Sequence, residues 1–334
     1  MLTKIDQVDM NSMFSVVMYH YVRDLQNTRY PAIKGLDIRL FREQLKYFKK
    51  HYNFITAAQL IDAYENGTEL PPKSLLLTFD DAYLDHYTNA FPLLDEYKAQ
   101  GLFFVPVKAI MNHEVLIVNK IHHVLAVCDK NINGLVQQVK TLLAPYEGKE
   151  GVQTFDYYFD KLAVANRFDC KEVIFVKRLL QVELQEPVRS AIINQLFAQY
   201  VNDDEAAFSR ELYMSEDQLR CMQRNGMIIG SHGYDHFWLS SLNKQEQEFE
   251  ISQSVDFLKK IGVSEDTLSI GYPYGDHNKE TLDVAQKYNF KLGFTTEVNV
   301  ATLDQYNSLE IPRLDTNDFP KDGNAFTNDW YTKG

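Results

Sequence analysis

The sequence predicts an α/β fold in which helices wrap a parallel sheet. It reads as one barrel-type domain over residues 1–334, interrupted by a helical insertion at about 111–213. Three observations carry this. Strand-like runs alternate with amphipathic helical stretches up to residue 110 and again from Ser215 onward. Between those blocks the pattern stays helical, with no convincing strand. The strands also end in polar residues, and in a parallel barrel those ends gather at one mouth.

Ser15–Val22 is strand-like by its β-branched and aromatic content, with His20 near its end. Asp37 can cap a helix whose Leu40, Phe41, Leu45 and Phe48 form one stripe. Phe54–Thr56 is a brief strand, and the helix Ala57–Glu65 is closed by Asn66-Gly67. In Ser74-Leu-Leu-Leu-Thr-Phe-Asp-Asp81 an apolar run leads straight into two carboxylates, which reads as a strand buried on both faces. Two acids there are costly unless a metal, a cation or a catalytic task stabilises them. A helix cap would need only one.

Leu102–Val107 is the next strand. The insertion shows helical patterns at Val173–Leu184 and Val188–Tyr200, and its His113, His122 and His123 read as surface or packing residues. Ser215 and Gln218 have capping-box spacing. Met227–Ser231 is a strand that delivers His232 and His236, and Lys244–Lys260 is a long helix. Leu268–Ile270 runs into Gly271-Tyr-Pro-Tyr-Gly275, and a helix at Glu280–Tyr288 precedes strands at Lys291–Thr295 and Glu310–Leu314.

Acids outnumber bases 46 to 34, and no basic stripe is visible, which excludes nucleic acid as an expected partner. Cys128, Cys170 and Cys221 lie far apart, a pattern that suits a reducing compartment better than a disulfide framework. Met1–Asn11 lacks signal-peptide order, and no apolar run approaches the roughly 18 residues of a bilayer span. A cytoplasmic protein is expected.

His232-x-x-x-His236 puts two imidazoles one turn apart, and one carboxylate of the Asp pair completes a two-His, one-Asp set with open positions for water and substrate. Zinc suits hydrolysis, and non-haem iron is the redox alternative. The other Asp could then take a proton from a water attacking a carbonyl. A metal-free reading makes Asp80 and Asp81 a glycosidase pair, but adjacent residues seldom reach the separation of roughly 5–9.5 Å that such pairs need.

Thr78-Phe-Asp-Asp81, Ser231-His-Gly-Tyr-Asp-His236 and Tyr272-Pro-Tyr-Gly275 occur in that order and resemble the polysaccharide deacetylases. Met18–Val22, Leu212–Leu219 and Ile311-Pro-Arg313 resemble the branch that acts in bacterial surface-glycan synthesis. The resemblance implies a distorted (β/α) barrel that removes N-acetyl groups from an amino sugar or glycan with a divalent metal, most simply zinc. It implies Asp80 as base and Asp81, His232 and His236 as metal ligands. It also implies Tyr272, Pro273, Tyr274 and Gly275 as groove wall, with the Tyr274 N–H as oxyanion donor.

Three departures from the family pattern stand out. Tyr272 replaces an Arg that orients the base, a role Arg313 could fill from another strand. The family's C-terminal Leu-x-His, source of the acid, has no counterpart because no histidine follows His277. Similarity to members whose motif order is rearranged implies His20 as the acid, against a reading as a buried structural histidine, and His277 itself suits a helix N-terminus. Ala82 replaces the Gly that often follows the Asp pair. The missing terminal histidine and the Tyr272 substitution would also fit a degenerate, non-catalytic glycan-binding barrel, against which the intact Asp80 argues. The insertion could shape the substrate groove, form a homo-oligomer contact or dock a partner.

Overall fold

The protein is described by a computed structural model covering residues 12–149, 151–166, 169–328 and 330. Its nine-stranded sheet is built from β1 (Met13–Tyr19), β2 (Asn53–Phe54), β3 (Ser74–Phe79), β4 (Gly101–Val105), β5 (Ile228–Ser231), β6 (Ser269–Gly271), β7 (Leu292–Phe294), β8 (Ala301–Thr302) and β9 (Leu314–Asp315). β1, β3, β4, β5, β6 and β7 lie side by side in that order, all parallel. Parallel neighbours need crossovers, and the helices Ile38–His51, Ala57–Asn66, Phe91–Tyr97, Glu216–Arg224, Lys244–Ile261 and Lys279–Lys287 lie between the strands.

The curl is closed late in the chain. Ile311 bridges Phe294 of β7, and β9 just beyond it pairs parallel with Val17 and Met18 of β1. The segment 311–315 therefore bonds to the first and last strands of the parallel run, which the sequence reading of a short strand at Glu310–Leu314 did not reveal.

Every residue of β3 is buried. Strand alternation sends Leu76 and Thr78 to one face, where Leu76 joins Phe14, Val16, Leu102, Phe104, Phe294 and Ile311 in one apolar cluster. On the other face Phe79 stacks between Tyr19 and Phe103, with ring centroids at 5.0 and 4.6 Å. The capping boxes at Ser215–Gln218 and Asn243–Glu246 fix the starts of the two helices that flank β5.

The chain divides into two compact units. One is drawn from Met1–Asp24, Gly35–Asn112 and Arg210–Gly334, the other from Leu25–Lys34 and His113–Ser209. The second unit is helical, with Ile117–Val127, Ile132–Leu143 and Val188–Tyr200 among its helices. In it His123 is buried edge-on to the rings of Tyr30 and Phe208, as a packing residue. No helix among the described residues is long and apolar enough to cross a membrane.

Candidate metal and catalytic site

Asp80 and Asp81 follow directly on β3, and both are buried. Their carboxylates go to different partners. The Arg313 guanidinium donates to both oxygens of Asp80, Nη1 to Oδ1 at 2.8 Å and Nη2 to Oδ2 at 2.9 Å, in a forked pair whose arginine side chain is fully buried. Arg313 is itself fixed by Nε donating to the Thr295 carbonyl and by Nη1 reaching Thr78 Oγ1. It arrives on the segment that closes the sheet. Burial alone would raise the Asp80 carboxyl, but Arg313 outweighs it, with His232 and His20 adding, and holds it below the ordinary carboxylate value.

Asp81 turns towards the histidines. Its Oδ2 accepts from Tyr83 Oη at 2.5 Å. Its Oδ1 lies 3.5 Å from His232 Nε2 and 3.3 Å from His236 Nε2, yet is buried with no hydrogen-bond donor. Burial raises Asp81, and the neighbouring imidazoles, His236 foremost, more than reverse this and hold it well below the ordinary value. An orphaned buried carboxylate oxygen is costly unless something else satisfies it.

His232 explains what that is. Its Nδ1 is 2.5 Å from the Gly271 carbonyl, which can only accept, so Nδ1 carries the proton and Nε2 offers a lone pair towards Asp81. Burial pushes His232 down to about 4, so it stays neutral at physiological pH. One ligand atom from each of Asp81, His232 and His236 lies within 4.8 Å of the others, a set that fits a divalent ion with open positions. The Phe104 ring lies 6.4 Å from that of His232, and an added Cβ on Gly230 or Gly271 would come within 2.8 or 2.6 Å of it.

The backbone is strained here. Among the described residues eight non-glycine residues have positive φ, and four of them are Asp81, Ala82, His236 and Tyr274. Such conformations persist where the surroundings over-determine them, commonly at functional sites. Ala82, at φ 51°, explains why glycine suits that place better.

His20 lies just past β1 with its side chain 44% exposed and Nε2 3.9 Å from Asp80 Oδ2, so the alternative of a buried structural histidine is set aside. His277 instead faces the Gly275 carbonyl and Glu310. The groove-wall expectation needs correction for two residues. Tyr272 is fully buried with its hydroxyl donating to the Leu309 carbonyl, and Pro273 is buried beside it. Only Tyr274 and Gly275 of that segment reach partial exposure.

Sequence reasoning missed two supports. Tyr83 reads as one more aromatic, although its place two residues after Asp81 is a usable signal. Glu250 Oε2 accepts from the backbone N–H of both Tyr234 and Asp235, at 3.0 and 2.9 Å, and so clamps the loop between the histidines. It belongs to a helix with no motif to mark it.

The sequence profile of the family described as polysaccharide deacetylase matches residues 67–141 and 166–293, well over half of the chain. The chain belongs to the polysaccharide deacetylase family. Among relatives in that family, it is 36% identical over 93 residues to YxkH of Bacillus subtilis (strain 168), a candidate polysaccharide deacetylase. It is 31% identical over 87 residues to the poly-β-1,6-N-acetyl-D-glucosamine N-deacetylase of Escherichia coli (strain K12). These stretches are 28% and 25% of this chain, and only 33% and 12% of the two relatives' lengths. The fold is that of solved deacetylases. PplD of Streptococcus pyogenes, solved with acetate, superposes with a TM-score of 0.55 at 19% identity, covering 91% of this chain and 92% of its own. IcaB of Ammonifex degensii gives 0.53 at 19% identity with the same coverages.

Proposed function

We propose that this deacetylase-family chain hydrolyses the N-acetyl group of an amino sugar in a glycan or glycan intermediate, during surface polysaccharide synthesis. The observation that carries the reading is the division of labour in the Asp pair. Asp81 sits with two histidines, while Asp80 sits on Arg313, off that set. The name of the Escherichia coli relative supports the substrate class.

Asp81, His232 and His236 would hold the ion, which the neutral imidazoles and the orphaned Asp81 oxygen suit. A divalent ion there, zinc by this donor set, supplies Lewis acidity towards the acetamido carbonyl and the attacking water. Asp80, kept ionised by Arg313, accepts the water's proton as its oxygen attacks the carbonyl carbon. The Tyr274 N–H is assigned to the developing oxyanion, on a backbone held left-handed at φ 59°. His20 gives a proton to the amine nitrogen as the C–N bond breaks, leaving acetate and the free amino sugar.

The helical unit is read as an insertion within the one catalytic barrel chain, and a homo-oligomer contact is one use for it. A cytoplasmic setting is proposed on the three cysteines alone, all of them free thiols. Acetate release from a panel of N-acetylated saccharides, measured with zinc present, tests the reaction. Wild type should release acetate, and Asp80→Asn should lower kcat by about 10²- to 10⁴-fold. Equal rates for the two proteins would remove Asp80 from its role.

A further inference from the structure

The loop after β5 carries more than its two histidines. Trp238, two residues past His236, leaves 38% of its surface exposed. Its ring lies parallel to that of Tyr274, with centroids 4.3 Å apart and planes 4° apart. Tyr274 in turn stands edge-on to His236 at 4.7 Å. The three rings form a file running from the Asp81–His232–His236 set to the surface. With Tyr274 against one face, the exposed area of Trp238 is left to its other face and its edge.

The file is built rather than incidental. Ser240 donates from its N–H and from Oγ to the two oxygens of Asp276, each at 2.7 Å, tying the Trp238 loop to the Tyr274 segment. Thr296 Oγ1 donates to the Tyr274 carbonyl at 3.0 Å. Gly275, at φ 73°, lets Thr296 sit where a Cβ would come within 2.2 Å of its hydroxyl. Both rings are thus fixed before any ligand arrives, which spares the ordering cost of binding. A flat aromatic face held open beside a reacting site is suited to the apolar C–H face of a pyranose, and a fixed tryptophan offers it a large contact area.

We propose that Trp238 is a stacking platform for the sugar ring next to the one whose acetamido group is hydrolysed, so that the site selects chains over single sugars. This rests on the hydrolase reading above and adds the length of the substrate to it.

The test separates the two. In full-length protein carrying Asp80→Asn and Trp330→Phe, which slows turnover and leaves Trp238 as the one tryptophan, emission is followed during titration. The titrants are N-acetylglucosamine and its β-1,4- and β-1,6-linked tetramers. One tetramer should shift the emission at concentrations where the monomer does not. In otherwise wild-type protein, Trp238→Ala should raise KM for that tetramer about tenfold, the size of one well-placed aromatic contact. It should also narrow the tetramer-over-monomer preference in kcat/KM, and Trp238→Phe should restore part of it. An emission that responds equally to monomer and tetramer, or to neither, overturns the platform. So does a Trp238→Ala protein that keeps the length preference. If wild type releases no acetate while emission still reports chain length, the hydrolase reading fails and the platform stands.

Discussion

At the scale of single residues, the two adjacent acids differ because their partners differ. Asp80 is an anion neutralised by a forked guanidinium, while Asp81 is an anion left with an open oxygen between two imidazoles. The Tyr83 hydroxyl is what aims that oxygen, since it occupies Oδ2 and leaves Oδ1 for the proposed ion. Tyr83→Phe keeps the ring, which stacks on Tyr21 at 4.0 Å, and removes the hydroxyl with its bonds to Asp81 and to Tyr21. Zinc affinity should fall about 10- to 100-fold, the usual effect of losing a group that orients a ligand, as read by competition with a chromogenic chelator. Unchanged affinity would mean that packing alone holds Asp81.

Among elements, the helix Lys244–Ile261 organises the histidine loop. Glu250 takes the Tyr234 and Asp235 N–H groups with a single oxygen, and Ser254 Oγ meets Ser231 Oγ at 2.7 Å at the base of the loop. Because one oxygen accepts both bonds, Glu250→Gln can keep them through its amide carbonyl, whereas Glu250→Ala cannot. Zinc affinity should stay close to wild type in the Gln protein and fall about 10- to 100-fold in the Ala protein. Circular dichroism would show whether each is folded. A Gln protein as weak as the Ala protein would show that charge, not the loop's hydrogen bonds, is what Glu250 provides.

The elements also show what a sequence can and cannot reveal. The Asp pair was legible because a continuous apolar strand makes polar residues at its end conspicuous, and the histidines because their spacing matches a metal site. Arg313 could be nominated, but its reach to Asp80 depends on β9 closing the sheet against β1, a pairing nearly 300 residues apart in sequence. Tyr272 misled because residues at a strand end can face either way. Its hydroxyl finds the Leu309 carbonyl, which no local pattern announces. Glu250 and Trp238 carry no motif, and their roles exist only once two loops and a helix are packed together. The ten residues Leu25–Lys34 gave no hint that they group with the helical unit.

For the whole molecule, acid stability depends on imidazoles buried in neutral form. His86 is fully buried, with Nε2 donating to the His20 carbonyl at 2.7 Å and its ring 5.4 Å from Phe79. Burial, which its bond to the His20 carbonyl only partly offsets, pushes it from 6.5 down to about 4. The unfolded chain therefore takes up this proton first as pH falls. His86 costs nothing above pH 6.5, and between 6.5 and about 4 its contribution is progressively lost, by up to roughly 3 kcal/mol. His86→Gln cannot titrate and can still donate to the carbonyl, so unfolding free energy by denaturant should fall less steeply across that window than in wild type. Parallel slopes would contradict the assignment.

Asp81, His232 and His236 are proposed to form a metal site from which Asp80 is separate. Elemental analysis of purified wild type, Asp80→Asn and His232→Ala tests it most directly. Near-stoichiometric zinc is expected in wild type and in Asp80→Asn, and its loss in His232→Ala. Zinc retained by His232→Ala, or lost from Asp80→Asn alone, would contradict it by exchanging the roles assigned to these side chains.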